Sequence, residues 1–241
     1  MDLTKRGAVI TGASRGLGAG VARAAFESGM SVVVCSRTAP ALPEGPRVLS
    51  RSIDVSREDA VEELAHDALE RFGRIDLWIN NAGVLDPVGP LRDVSPDEFR
   101  RHIEINLLGT AFGSRAFVRA LHATGRRGVL LNISSGAARH PYVSWSAYCA
   151  GKAGVDRLSE CIAAEEGDRV KVHAVAPGLI DSEMQAGVRA LDREIFPALE
   201  KFLQAHEAGA LVAPIDAGRE LLALAFDPAR ARAEVCIDLR D

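Results

Sequence analysis

The chain has 241 residues, 47% hydrophobic and 26% charged, with 29 Lys and Arg against 33 Asp and Glu for a net charge of -4. That is enough for one domain with a sizeable core, and the scattered basic residues argue against nucleic acid or an anionic membrane as partner. No apolar run reaches membrane-spanning length, and the first residues lack a signal-peptide core.

In chain order, short apolar runs alternate with stretches of helical period. "GAVIT" is followed by a helical stretch over residues 15–28, then "SVVVCS", then "RVLSRSI" with a helix over 57–72. "IDLWIN" precedes a helix over 95–123, "GVLLNIS" one over 144–166, and "VKVHAVA" and "AEVCIDL" complete about seven strands. Continuous apolar strands separated by helices predict a single α/β domain over residues 1–241, a doubly wound parallel sheet of the Rossmann type with helices on both faces. The Pro/Gly loop "APALPEGPR" stands where a crossover helix is expected, and "DPVGP" near residue 88 is a second turn-rich insertion.

The four cysteines, Cys35, Cys149, Cys161 and Cys236, form no C-x-x-C pair and have no histidine at metal-ligand spacing, so buried thiols are expected and no metal site. A reducing, cytoplasmic setting is the default.

Gly12, Gly16 and Gly18 follow the first strand at the start of the first helix. There glycine lets the backbone approach a pyrophosphate, whose charge suits free N–H groups at a helix N-terminus. The second strand ends with Ser36 and Arg37 where an NAD site usually places an acid, and Arg15 sits in the glycine turn. Two guanidinium groups suit a 2′-phosphate, so NADP(H) is expected over NAD(H), although either arginine alone also fits a solvated surface charge.

Tyr148 stands four residues before Lys152 in "SWSAYCAGKAG". On a helix the two share a face, which fits a catalytic pair and equally an aromatic at a core edge beside a solvated amine.

"TGASRGLG" at residues 11–18, "NNAG" at 80–83, Asn106 in "INLLGT", Ser135 in "NISSG", Tyr148 with Lys152, and "PG" at 177–178 together resemble the short-chain dehydrogenase/reductase family, across nearly the whole chain. The resemblance implies that Tyr148 gives a proton to a carbonyl oxygen as hydride arrives from the nicotinamide, Ser135 holds that oxygen, Lys152 lowers the tyrosine pKa, and Asn106 anchors a water relay. Ser134 is a strand-end support for its neighbour. By the same resemblance the cofactor is bordered by Gly12, Ser14, Arg15, Gly16, Leu17, Gly18, Arg37, Asp54, Val55, Asn81, Ala82, Gly83, Pro177, Gly178 and Ile180. Asp54 also fits a simple cap after its strand.

Three positions depart from the common family pattern: Gly151 where serine is frequent before the lysine, Ser182 in place of threonine after "PG", and a C-terminus without the usual glycine pair. "HPYVSWSAYCAGKAG" with "VAPGLIDSEMQ" and "CIDLRD" is similar to the sepiapterin reductase and benzil reductase group. That implies a small-molecule carbonyl substrate, a 1,2-diketone first and a pterin side-chain ketone second, met by Tyr142, Trp145, Met184 and Asp238. Tyr142, Trp145 and Met184 equally fit packing residues, and Asp238 a strand cap. Residues 182–209, with Gly187 and Pro197 interrupting the helical period, are expected to form a two-part lid. The resemblance also implies a homodimer or homotetramer. Two other readings stay open: an NADP(H)-binding regulatory module with little turnover, and an alcohol dehydrogenase working in the oxidative direction.

Overall fold

Strands without polar alternation must be covered on both faces, and that requirement organises the chain. In the computed structural model, which describes residues 1–240, β1 (Gly7–Thr11) is buried at every position and β2 (Ser31–Ser36) at all but its first. β3 (Val48–Ser52), β4 (Leu77–Asn80), β5 (Gly128–Ile133), β6 (Val170–Ala176) and β7 (Cys236–Asp238) join them in one seven-stranded sheet of order β3-β2-β1-β4-β5-β6-β7. Every neighbouring pair is parallel. The order reverses between β1 and β4, and in such sheets ligands bind beyond the carboxyl ends of the strands at that reversal.

Alternate side chains of one strand feed two cores. Ala8 and Ile10 of β1 pack with α1 (Gly16–Glu27) and α8 (Pro214–Phe226) on one face. Val9 packs with α2 (Glu58–Phe72) and Phe117 of α4 (Gly109–Thr124) on the other, where α5 (Ser146–Glu166) also lies. No helix connects β2 to β3, as the Pro/Gly loop indicates.

The helix expected over residues 95–123 is divided. α3 (Pro96–Ile103) starts at a capping box between Ser95 and Glu98, then a π-helical turn, Glu104–Leu108, intervenes before α4. A π-turn adds one residue per turn and shifts the side chains that follow; here it carries Asn106. The segment over 182–209 forms two short helices, α6 (Glu183–Arg189) and α7 (Leu199–Glu207), separated by a stretch containing Pro197. Ser182 is the N-cap of α6, its hydroxyl accepting from the Gln185 N–H, which gives that departure from the family pattern a local role.

A buried polar lattice fixes α4 and α5 against the sheet. Trp78 Nε1 donates to Asn80 Oδ1 at 2.8 Å, and Asn80 Nδ2 donates to Asn132 Oδ1 at 2.9 Å and Ser114 Oγ at 3.1 Å. Asn132 Nδ2 in turn donates to Ser159 Oγ at 2.9 Å. Asn132→Leu removes an acceptor from Asn80 and a donor from Ser159 in a dry site, so it should destabilise the fold by about 2 kcal/mol or more, read as a lower urea midpoint.

Candidate active site

The carboxyl ends of the strands open into a cavity of about 670 Å³ running from Arg37 and Asp54 to Lys201 and Phe202. At the reversal point Thr11 Oγ1 accepts from the backbone N–H groups of Asn81 and Ala82 at 3.0 and 3.1 Å, locking the end of β1 to the chain leaving β4.

Gly12 is fixed there for two reasons. Its φ is +68°, and a Cβ would lie 2.7 Å from Ala82 Cα. The next helix, α1, begins at Arg15 with no side chain capping its first turn, so its N–H groups are left for an anion. This narrow glycine cradle at an uncapped N-terminus fits a dinucleotide pyrophosphate.

The remaining cofactor candidates line the same cavity: Ser14 to Gly18 on the β1–α1 turn, Arg37 after β2, Asp54 and Val55 after β3, Asn81 to Gly83 after β4, and Pro177, Gly178 and Ile180 after β6. Two are already engaged. Arg15 pairs with Glu183 of α6 across the cavity mouth. The Asp54 carboxylate accepts from the Ser56 N–H and hydroxyl and from Arg101; burial raises its pKa, but these hydrogen bonds outweigh burial and hold it below the usual value.

The chemical centre sits where α5 crosses the end of β5. Lys152 is buried, its Nζ donating to the Ile133 carbonyl at 2.7 Å and lying 5.8 Å from the Tyr148 ring centroid. Burial pushes its pKa down to about 8, with Asp156 one helical turn on pulling the other way. Ser134, at the end of β5, donates to that Asp156, whose own pKa burial has raised. Ser135 caps a short 3-10 turn, Gly136–Ala138, its hydroxyl accepting from the Ala137 N–H at 3.2 Å, and lines the cavity with Tyr148.

The tyrosine departs from expectation. Its pKa is raised, because burial outweighs the opposing effect of the Ser135 hydroxyl and the lysine ammonium is turned to the Ile133 carbonyl. A raised phenol stays protonated at neutral pH, ready to donate rather than to accept. Asn106 does not line the cavity. It is fully buried, Oδ1 accepting from the Val84 N–H at 2.9 Å and Nδ2 donating to the Val84 carbonyl at 2.8 Å.

Residues 6–192 match the family model described as short chain dehydrogenase. The chain belongs to the short-chain dehydrogenase family. Among curated relatives, benzil reductase ((S)-benzoin forming) of Bacillus subtilis is 34% identical over 224 residues, covering 90% of this chain and 91% of that one. L-fucose dehydrogenase of Oryctolagus cuniculus is also 34% identical, over 229 residues, covering 91% and 78%. Among solved structures, KRED1-Pglu superposes with a TM-score of 0.87 at 31% identity, covering 96% of this chain and all of that one. A variant of actinorhodin polyketide ketoreductase solved with NADPH gives 0.81 at 26% identity, covering 99% and 97%. Short-chain dehydrogenases bind a nicotinamide cofactor, and the glycine cradle is where this member would hold it.

The other half of this dehydrogenase's cavity is aromatic. Trp145 stacks on Phe196 with ring centroids 4.5 Å apart, and Tyr142 and Phe202 close the cluster. Tyr142, Trp145 and Met184 all line the cavity, with Leu179, Val188 and Leu191. Asp238 does not. It is buried at the end of β7 with its carboxylate held by Arg240, and it is Arg240 that reaches the wall, against Gly178. Phe196, Phe202 and Lys201, whose Nζ donates to the Tyr142 hydroxyl at 2.8 Å, were not singled out in the sequence, because an irregular region of mixed period gives no sign of which face turns inward.

Lys152 sets a stability slope. Its folded value of about 8 lies below the ordinary lysine value of 10.5, so between those limits the unfolded chain holds a proton the native chain has released. Native stability relative to Lys152→Met should therefore rise with pH across that window, by roughly 3 kcal/mol, as urea unfolding at neutral pH and near pH 10 would show.

Proposed function

We propose that this short-chain dehydrogenase is an NADPH-dependent carbonyl reductase whose substrates are aromatic 1,2-diketones. The observation that carries the reading is the aromatic wall of Tyr142, Trp145 and Phe202 in the same cavity as the Ser135, Tyr148 and Lys152 centre. Such a wall suits a flat aryl ketone. The benzil reductase name of the Bacillus subtilis relative supports the same class.

When bound, the nicotinamide supplies hydride. The chain's own residues supply the rest. Ser135 and Tyr148 converge on one oxygen, Ser135 polarising it and Tyr148 donating the proton it has kept through burial. Lys152, poised near neutral pH at the back of the site, is placed to restore that proton. Arg37, exposed at the opposite end of the cavity, and Arg15 in the glycine turn suit a 2′-phosphate, which supports NADPH over NADH.

Asp238 is the one acid among the four expected substrate contacts, and a polar pterin ring has more use for it than an aryl diketone; with that carboxylate held by Arg240, the diketone reading is the stronger. The intact Ser135, Tyr148, Lys152 and Asn106 set favours an enzyme over a regulatory module, and the benzil reductase and ketoreductase names of its relatives favour the reductive direction over the oxidative. We also propose a homo-oligomer through α4 and α5, where Val118, Leu158 and Ile162 border a second, shallower groove, and a reducing compartment, which suits four free cysteines.

The test is oxidation of NADPH, and separately NADH, on adding benzil, 1-phenyl-1,2-propanedione, sepiapterin or a simple aldehyde. NADPH consumed fastest with the aromatic diketones is the expected result; tight NADPH binding with no turnover of any of them would overturn the reading. Tyr148→Phe should keep NADPH affinity and lose turnover by about a hundredfold or more. Arg37→Ala should weaken NADPH by about tenfold while leaving NADH nearly unchanged, measured by fluorescence titration.

A further inference from the structure

His102, in the last turn of α3, is only 1% exposed, and no step described so far uses it. Both ring nitrogens are occupied. Nδ1 lies 2.6 Å from the Asp86 carbonyl, which can only accept, so Nδ1 carries the hydrogen. Nε2 lies 2.5 Å from Asn106 Nδ2, which is also 3.3 Å from Nδ1, so the amide nitrogen sits over the nitrogen edge of the ring. That amide has no freedom to flip, since Val84 needs its oxygen for the N–H and its nitrogen for the carbonyl. An amide NH₂ can only donate, so Nε2 is bare. The two partners together assign the neutral Nδ1–H tautomer. A proton on Nε2 would be a buried donor with no acceptor against it.

The rest of the ring lies against the catalytic helix. Its centroid is 6.0 Å from that of Tyr148, edge to face, and it covers Gly151. A Cβ at Gly151 would come within 3.3 Å of His102 Nε2 and 3.5 Å of Asn106 Cβ. The imidazole thus fills the space that a serine side chain would need, which gives the glycine at that motif position a physical reason.

We propose that His102 is a positioning residue for the reduction: a neutral imidazole seated over Gly151 that fixes the Asn106 amide and the Tyr148 ring, and that works only while unprotonated. The proposal rests on the carbonyl-reductase reading. The groups facing the ring act in opposite directions. Burial and the Lys152 ammonium on α5 disfavour a proton on the imidazole, while the Asp86 carbonyl and carboxylate on the loop after β4 favour one, and the balance lies below the ordinary histidine value. Neutral His102 therefore persists through neutral pH, and its loss belongs on the acid side, below about 6.5.

The experiment combines a readout that needs no turnover with one that does. Nitrogen NMR of the NADPH-bound protein labelled at histidine should show His102, assigned by the signal that His102→Gln removes, as a neutral Nδ1–H ring at neutral pH, beside the similar ring of His173, whose Nδ1 faces the Glu234 carbonyl; the Nε2–H tautomer or an imidazolium at His102 would overturn the proposal. Steady-state reduction of benzil across pH supplies the second readout. His102→Gln, which can keep one acceptor toward Asn106 and one donor toward Asp86, should hold kcat within about threefold and lack the acid limb that the native enzyme should show. His102→Leu should lower kcat by about tenfold or more with the KM for NADPH within about threefold. Gly151→Ser should lower the Tm in the native background but not beside His102→Ala, since the smaller side chain vacates the space. Native kcat in His102→Leu, an acid limb retained in His102→Gln, or equal Gly151→Ser effects in both backgrounds would overturn it. Absence of diketone turnover with the expected tautomer and Gly151 coupling would instead overturn the substrate reading alone.

Discussion

A lysine ammonium 2.7 Å from a strand-end carbonyl, out of water, is the constraint around which the site is arranged. Removing such a charge from solvent is costly unless partners compensate. Ile133 supplies one hydrogen-bond acceptor and Asp156 the opposing charge, yet burial still holds Lys152 near a pKa of about 8. The same burial raises Asp156 and Tyr148. Lys152 and Asp156 are thereby moved toward neutrality from opposite sides, while Tyr148 is moved away from it and holds its proton. Holding them requires a rigid floor, and the asparagine and serine lattice from Trp78 to Ser159 fastens both α4 and α5 to β4 and β5.

Much of this was legible in the chain. The apolar runs marked the strands because burial on both faces leaves no room for polar alternation, and the glycine turn was legible because a positive φ and a close approach to Ala82 admit little else. Tyr148 and Lys152 gained meaning only beside the other motifs. What stayed hidden depends on contacts between distant segments. The π-turn at Glu104–Leu108 has no local signal, because it is fixed by Asn106 bonding to Val84 across the fold. The raised tyrosine pKa was likewise out of reach, since spacing shows that a lysine is near but not that its ammonium faces another partner.

The two halves of the cavity obey different rules. Its chemical and cofactor half is built on strand ends and hydrogen-bonded turns, where small displacements would be felt at once. Its aromatic half is built from the segment leading into α5 together with α6, α7 and the stretch between them, a satellite core of Trp145, Phe196, Leu199 and Phe202 set apart from the two main cores. Rings stacked on rings tolerate substitution of similar volume better than hydrogen-bonded lattices do. Relatives equally similar in sequence carry names with quite different substrates, which is the pattern such a division would produce.

The missing helix between β2 and β3 has a consequence of its own. Because an irregular Pro/Gly stretch takes its place, the edge of the sheet beside Arg37 is covered by chain that contributes little to either main core. Residues there can be exchanged, lengthened or recharged at small cost to folding, since surface loops accept such changes readily. On the proposed reading, in which that end of the cavity takes the adenosine half of a dinucleotide, it is an adjustable part on a rigid frame, and coenzyme choice could drift without retuning the chemistry at the other end.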